Sequence, residues 1–364
     1  MINTVRKMLG RDREFMVLVA TTLVVTAILY VLLGDRLFSL GGVQSMSIQV
    51  SEFGFLALAM GLAILTGGID LSIVAAAGLA GVMASLVMSG LIIPVTDDNQ
   101  GMLFVLGIVV ALVTGLITGL LNGIIIAKLS VPPILATLGT GILFQGIGMA
   151  LTSGNSVSIK VVAFSQIATV AIGPAPLVFV LLAITFVIVG FILKKTRFGR
   201  RVYLFGENEV ALRFSGDRSE RTIILTYALI GLLVGLAAIV IIARANSMRV
   251  GFGQSYLLQA ILVVVLAGFN PFGGRGRIIS LAFALVLLQV LSTSMTAFEV
   301  SPYAKNLVWG GMLLLVMALI HFVRKGRKIG AKPQDFSGGT TPPTGSFPAL
   351  RSARVKTSSM GVRS

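Results

Sequence analysis

Long apolar runs recur along almost the whole chain, broken by short polar or glycine-rich stretches. Ten of them predict membrane-crossing helices: Phe15–Leu33, Ser45–Leu65, Leu71–Ile93, Met102–Ala127, Ile134–Leu151, Pro176–Leu193, Ile223–Ile242, Leu257–Phe269, Ile278–Ala297 and Ala304–Phe322. Each approaches the ~20 residues that carry a helix across ~30 Å of hydrocarbon. The eighth is short enough to be a partial or re-entrant segment. The expected fold class is therefore all-α: a polytopic transmembrane helical bundle of about ten spans. One polar interruption is much longer than the rest. It reads KKTRFGRRVYLFGENEVALRFSGDRSERT, from Lys194 to Thr222.

Charge orients the bundle. Arg6, Lys7, Arg11 and Arg13 place the N-terminal segment, residues 1–14, on the cytoplasmic side. Phe15–Leu33 is longer than a signal-peptide core, and no small-residue cleavage site follows it, so it reads as a retained span. Alternation then puts the basic loop, Asn270–Arg277, and Arg324, Lys325, Arg327 and Lys328 inside. Asp97, Asp98 and Glu299 fall outside, and Arg244 and Arg249 are the exceptions. Both termini are expected to be cytoplasmic. The expected organisation is a membrane domain over residues 15–323 and a tail, 324–364, rich in Gly, Pro, Ser and Thr and expected to be disordered. Of the outside segments, Thr152–Ala175 suggests a surface helix and Ala243–Ser255 an extended loop.

Composition narrows the function classes. The chain has 364 residues, of which 56% are hydrophobic and only 12% charged, too few charges for a soluble domain. Its net charge of +16 lies beside the spans, where topology and anionic lipid account for it, so no nucleic-acid partner is expected. There is no cysteine and a single histidine, His321. No catalytic constellation and no metal site are expected, and the chain reads as a non-enzyme.

Several segments carry candidate chemistry. In LTGGIDLS, residues 65–72, Gly67 and Gly68 permit a break, and Asp70 with Ser72 suits a helix cap. Asp70 is also a candidate for the transport path or a gate. Gly115, Gly119 and Gly123 recur at four-residue spacing and give one smooth helical face. Asn122 and Gln145 are membrane-embedded polar groups, either structural hydrogen-bond partners or path-lining residues. Glu52 is an intramembrane carboxylate, functional or close to the interface. In the basic loop, Asn208–Phe214 has helical composition, with Ala211 and Leu212 as a small apolar contact and Ser215-Gly216 ending it. Such a helix, lying along the membrane, suits a groove on a soluble partner. Gly268–Arg277 lacks a preceding strand and a following Lys-Ser/Thr, so it reads as a tight turn with basic anchors.

Five segments, in order, resemble the permease subunit of bacterial carbohydrate ABC importers of the ribose, xylose, arabinose and galactose type. They are LTGGIDLS (65–72), NGIIIAKLSVPPILATLGT (122–140), TRFGRRVYLFGENEVALRFSG (196–216), VLAGFNPFGGRGR (265–277) and VSPYAKNLVWGGMLLL (300–315). The resemblance implies a bacterial inner-membrane pore built from two permease subunits, as a homodimer or a pair of related chains. It implies a cytoplasmic ABC ATPase that holds ATP and Mg, and a periplasmic binding protein that delivers the sugar. No cofactor is expected in this chain. The coupling segment would be Glu207–Gly216, with Glu207, Asn208, Glu209, Ala211, Leu212, Ser215 and Gly216 at the contact. Glu52, Asp70, Asn122 and Gln145 would line the path. The chain departs from the family pattern at Ile73-Val74-Ala75, at Leu257-Leu258-Gln259 after Tyr256, and at Glu207 and Asp217. These departures suit one member of a heteromeric pair. The rival classes are a branched-chain amino-acid or nucleoside permease of the same architecture, and an ion-coupled secondary transporter.

Overall fold

The computed structural model describes residues 2–214 and 216–329. Of the described residues, those up to Leu319 form one compact unit, and 320–329 fall in a second. The expected tail, residues 324–364, lies mostly outside the described residues.

The chain is overwhelmingly helical. It opens with α1 (Ile2–Leu33), a short α2 (Asp35–Phe38), α3 (Leu40–Leu65), α4 (Ile73–Met88), α5 (Gln100–Lys128) and α6 (Pro133–Thr152). A small region of short elements follows: β1 (Val157–Ser158), α7 (Val162–Gln166), β2 (Ala171–Ile172) and β3 (Ala175–Pro176). Next come α8 (Leu177–Lys195), α9 (Arg197–Glu207), α10 (Glu209–Phe214) and α11 (Ser219–Ala245). The chain continues with β4 (Ser247–Met248), α12 (Gln254–Leu266), α13 (Ile278–Ala297) and α14 (Pro302–Ile329). Among the described residues, seven helices are long and apolar enough to cross a membrane: α1 from Phe15, α3, α5, α6, α8, α11 and α13. This is an all-α, multi-pass membrane protein.

Local chemistry sets the helix ends. The Ser39 hydroxyl caps α3 by accepting from Gly42 N, and Thr196 caps α9 by accepting from Gly199 N. Pro133 occupies the first turn of α6, where its missing N–H costs nothing. Gly67, at φ +79°, ends α3, and Gly68 N reaches back to the Ala63 carbonyl. Two apolar helices are shorter than a bilayer. At 1.5 Å per residue, α4 and α12 rise only about 24 and 20 Å. The expected third span, Leu71–Ile93, is thus cut at both ends, by the break before Ile73 and by Gly90 at φ +81°.

Two helices form the centre. The C-terminal two-thirds of α3 is almost wholly buried and most of α11 is buried, whereas α1, α5, α6 and α8 leave apolar side chains such as Val31 and Val187 exposed, as lipid-facing helices do. The closest packing joins α5 to α11. A Cβ on Gly119 would stand 2.2 Å from the Tyr227 carbonyl, and one on Gly115 2.4 Å from the Gly231 carbonyl. The four-residue glycine spacing therefore works as a packing face, matched by Gly231 and Gly235 on the partner helix.

The region of short elements differs from the sequence expectation. Beyond the end of α6 at Thr152, only Val162–Gln166 of Thr152–Ala175 is helical, with Phe164 buried against Phe104. Val157 pairs with Met248 and Ser158 with Ser247, so the two outside segments, read as independent, form one antiparallel ribbon. A second small hairpin pairs Ala171 with Pro176 and Ile172 with Ala175.

Candidate functional site

The segment read as a basic loop is mostly helix. α9 follows α8 after one extended residue, Thr196, and turns Gly199 and Val202 inward. Its far end lies against two breaks in the bundle. A Cβ on Gly206 would stand 1.9 Å from the Leu65 carbonyl and 2.4 Å from Gly274 N, so only glycine fits. Gly274 N donates to that same Leu65 carbonyl at 2.9 Å. The Tyr203 hydroxyl donates to the Gly276 carbonyl at 3.0 Å, and Arg275 reaches Glu207 at 3.3 Å. α9 thus joins the end of α3 to the turn between α12 and α13.

α10 follows after one residue. Asn208 has an extended backbone, and its Oδ1 accepts from Ala211 N at 3.0 Å, an N-cap. Glu209 pairs with Arg213 one turn on, at 2.7 Å. Leu212 is 2% exposed and packs inward. The sequence expectation of Ala211 and Leu212 as a joint contact is corrected here: Ala211 is exposed, but Leu212 is not available to a partner. The outward apolar residues are Val210, 60% exposed, and Phe214, 89% exposed. They are four residues apart on one face of the helix, which is the signal that would have found them. Gly216, at φ +81°, turns the chain, and its N donates to the Arg213 carbonyl. Asp217 then pairs with Arg201 at 2.7 Å, tying the exit of the segment back to α9. Ser215 lies outside the described residues.

Of the four intramembrane candidates, two meet. Asp70 Oδ1 accepts from Ser72 N at 2.8 Å and from the Ser72 hydroxyl at 2.7 Å. The Asn122 amide donates to that hydroxyl at 2.8 Å, and Thr140 donates to Asn122 Oδ1 at 2.6 Å. Thr137 Oγ1 accepts from Leu71 N at 3.0 Å. This buried chain locks the break before α4 to α5 and α6. It also explains how irregular backbone survives at that depth, enclosed in protein with its polar groups satisfied. The capping expectation changes in detail: Asp70 organises the turn through Ser72, and no side chain caps α4 itself. Gln145 is half-buried on α6 and takes no part in that chain.

Glu52 belongs to a different cluster. It is 1% exposed, and its Oε2 accepts from Arg244 Nη1 at 2.6 Å and from the Tyr256 hydroxyl at 2.5 Å. Its Oε1 is buried without a partner. Arg244 closes α11 and Tyr256 begins α12, so one carboxylate holds the ends of two helices to α3. Arg244 departs from the charge asymmetry because its charge is balanced within the protein. Sequence reasoning flagged Glu52 and Arg244 separately and never paired them.

The chain belongs to the family described as branched-chain amino acid transport system / permease component, which matches residues 42–317. It is a membrane permease component. It is 36% identical to the ribose import permease protein of Bacillus subtilis over 276 residues, 74% of this chain and 82% of that protein. It is 31% identical to the ribose import permease protein of Escherichia coli K12, over 78% of this chain and 87% of that one. With the D-allose transport system permease protein of the same organism it shares 26% identity, over 83% of this chain and 90% of that one. No solved structure matches the chain.

Proposed function

We propose that this chain is the membrane-spanning subunit of an ATP-driven, binding-protein-dependent importer of a monosaccharide, in a bacterial inner membrane. The likeness to ribose and D-allose permeases over most of both chains supports the sugar class. The structural observation that carries the mechanism is α10, with Val210 and Phe214 turned outward and α9 wedged against Leu65 behind it. Such a helix offers a soluble partner an apolar face ringed by charge.

In this reading the chain crosses the membrane ten times, with both termini, α9 and α10 cytoplasmic. α4, α12 and α14 complete the span count, the first two with breaks that stay inside the bundle. A separate ATPase holds ATP and Mg and docks on Glu207–Gly216. A second permease copy or a related chain completes the pore, and a periplasmic binding protein delivers the sugar. When the ATPases close, α10 moves with them. α9 passes the displacement to the end of α3 and to the turn at Gly273–Gly276. Those points sit beside the Asp70–Ser72–Asn122 junction and at the start of α13, so the pull falls on hinge positions. Gln145 contributes a polar group to the path, and Glu52, Asp70 and Asn122 keep its wall in register. The chain itself breaks and forms no bonds.

The experiment is reconstitution of the importer with Glu209→Lys. Sugar-stimulated ATP hydrolysis should fall while the permease still inserts. Unchanged uptake would refute the docking assignment. Ligand screening of the cognate binding protein separates a sugar from a branched-chain amino acid.

A further inference from the structure

A cavity of about 350 Å³ opens beside the Glu52–Arg244–Tyr256 cluster. Its wall takes Arg244 and Asn246 from the end of α11, Gln166 and Thr169 from the α7 turn, and Ser45 from α3. This volume lies in the range of small-molecule sites. Arg244 commits Nη1 to Glu52 and is half-exposed, so its other N–H groups remain to face the cavity. The side-chain amides of Gln166 and Asn246 take no part in the hydrogen bonds of the described residues.

The chemistry of this wall is specific. Arg244 is its one ionisable lining group, and Glu52 already balances that charge. An anion therefore gains little there. The two amides supply both donors and acceptors, which is what a hydroxyl group, itself donor and acceptor, can satisfy. An aliphatic side chain would instead leave those amides unpaired.

We propose that this cavity is an outer subsite for a neutral, polyhydroxylated solute, with Arg244, steadied by Glu52 and Tyr256, as its principal donor. This rests on the import reading above and adds where the solute first meets the permease. The binding is weak, since a path must release what it takes up.

The sequence contains no cysteine, so Thr169→Cys gives a unique reporter at the cavity. The complete importer is placed in right-side-out vesicles, and the rate of modification by a membrane-impermeant maleimide is measured. Ribose, D-allose, fructose and leucine are compared at equal, high millimolar concentration. At least one sugar should slow modification several-fold, and leucine should leave it unchanged. Adding Gln166→Ala should reduce that protection, read as the ratio of rates with and without sugar in the same variant. Uptake is measured in parallel on the cysteine-free parent. If the parent imports one of these sugars and none protects the reporter, the subsite is wrong and the import reading stands. If leucine alone protects and alone is imported, both fall.

Discussion

Gly206 and the Leu65 carbonyl approach so closely that a side chain at position 206 would begin 1.9 Å from that oxygen. The contact joins the helix leading into the proposed docking segment to the end of α3, one of the two helices at the centre of the bundle. Gly206→Ala must push α9 off Leu65 and Gly274, because both obstacles are backbone and cannot rotate away. Overpacking of this kind costs about 1–3 kcal/mol. We expect uptake to collapse while the subunit still inserts and α10 stays present for the ATPase. Normal uptake alongside normal membrane levels would show that α9 is not the connecting element.

Phe214 and Leu212 lie two residues apart and should respond in opposite ways. Phe214→Ala removes an 89% exposed ring. Its effect should appear as lost ATPase affinity, on the order of 30-fold if it is an interface anchor worth ~2 kcal/mol. Thermal stability of the isolated permease should be unchanged. Leu212→Ala opens a cavity under α10 and should lower stability by ~2–5 kcal/mol. Co-purification of the ATPase and melting in detergent separate the two, and the reverse pattern would invert the orientation assigned to α10.

The Glu52–Arg244 pair is testable by a double-mutant cycle. Glu52→Ala leaves Arg244 without its buried counter-charge and should cost about 3–5 kcal/mol, towards the lower figure because Arg244 is half-exposed. Adding Arg244→Leu should recover much of that loss. Additive losses in melting temperature would mean that the two side chains act independently.

Glycine placement gives a contrast within the helices. Gly119→Ala would set a methyl 2.2 Å from the Tyr227 carbonyl and should separate α5 from α11, lowering the melting temperature markedly. Gly139→Ala meets nothing within 4 Å and should be neutral or slightly stabilising. Equal effects would argue that helix propensity, and not close approach, accounts for the glycine pattern.

Much of this molecule is legible without coordinates. Hydropathy marks the spans, because a backbone crossing hydrocarbon must bond to itself and needs an apolar surface to do so. Gly67 and Pro133 mark two of their ends, because φ freedom and a missing N–H are properties of single residues, whereas the end of α4 before Gly90 was not read from sequence. The Gly115–Gly119–Gly123 face follows from helical geometry alone. The sequence by itself therefore determined an all-helical membrane protein, where most of its helices lie and which of their faces can pack closely. It did not pair Glu52 with Arg244, 192 residues away, or join Val157 to Met248. It also offered Ala211 and Leu212 as the apolar contact of that segment and did not single out Phe214 within it. Those facts depend on which distant segments meet, and in an almost uniformly apolar chain no periodicity encodes the partner. Only the tertiary structure decided them, by bringing α9 against the ends of α3 and α12 and by folding the ends of α11 and α12 onto Glu52.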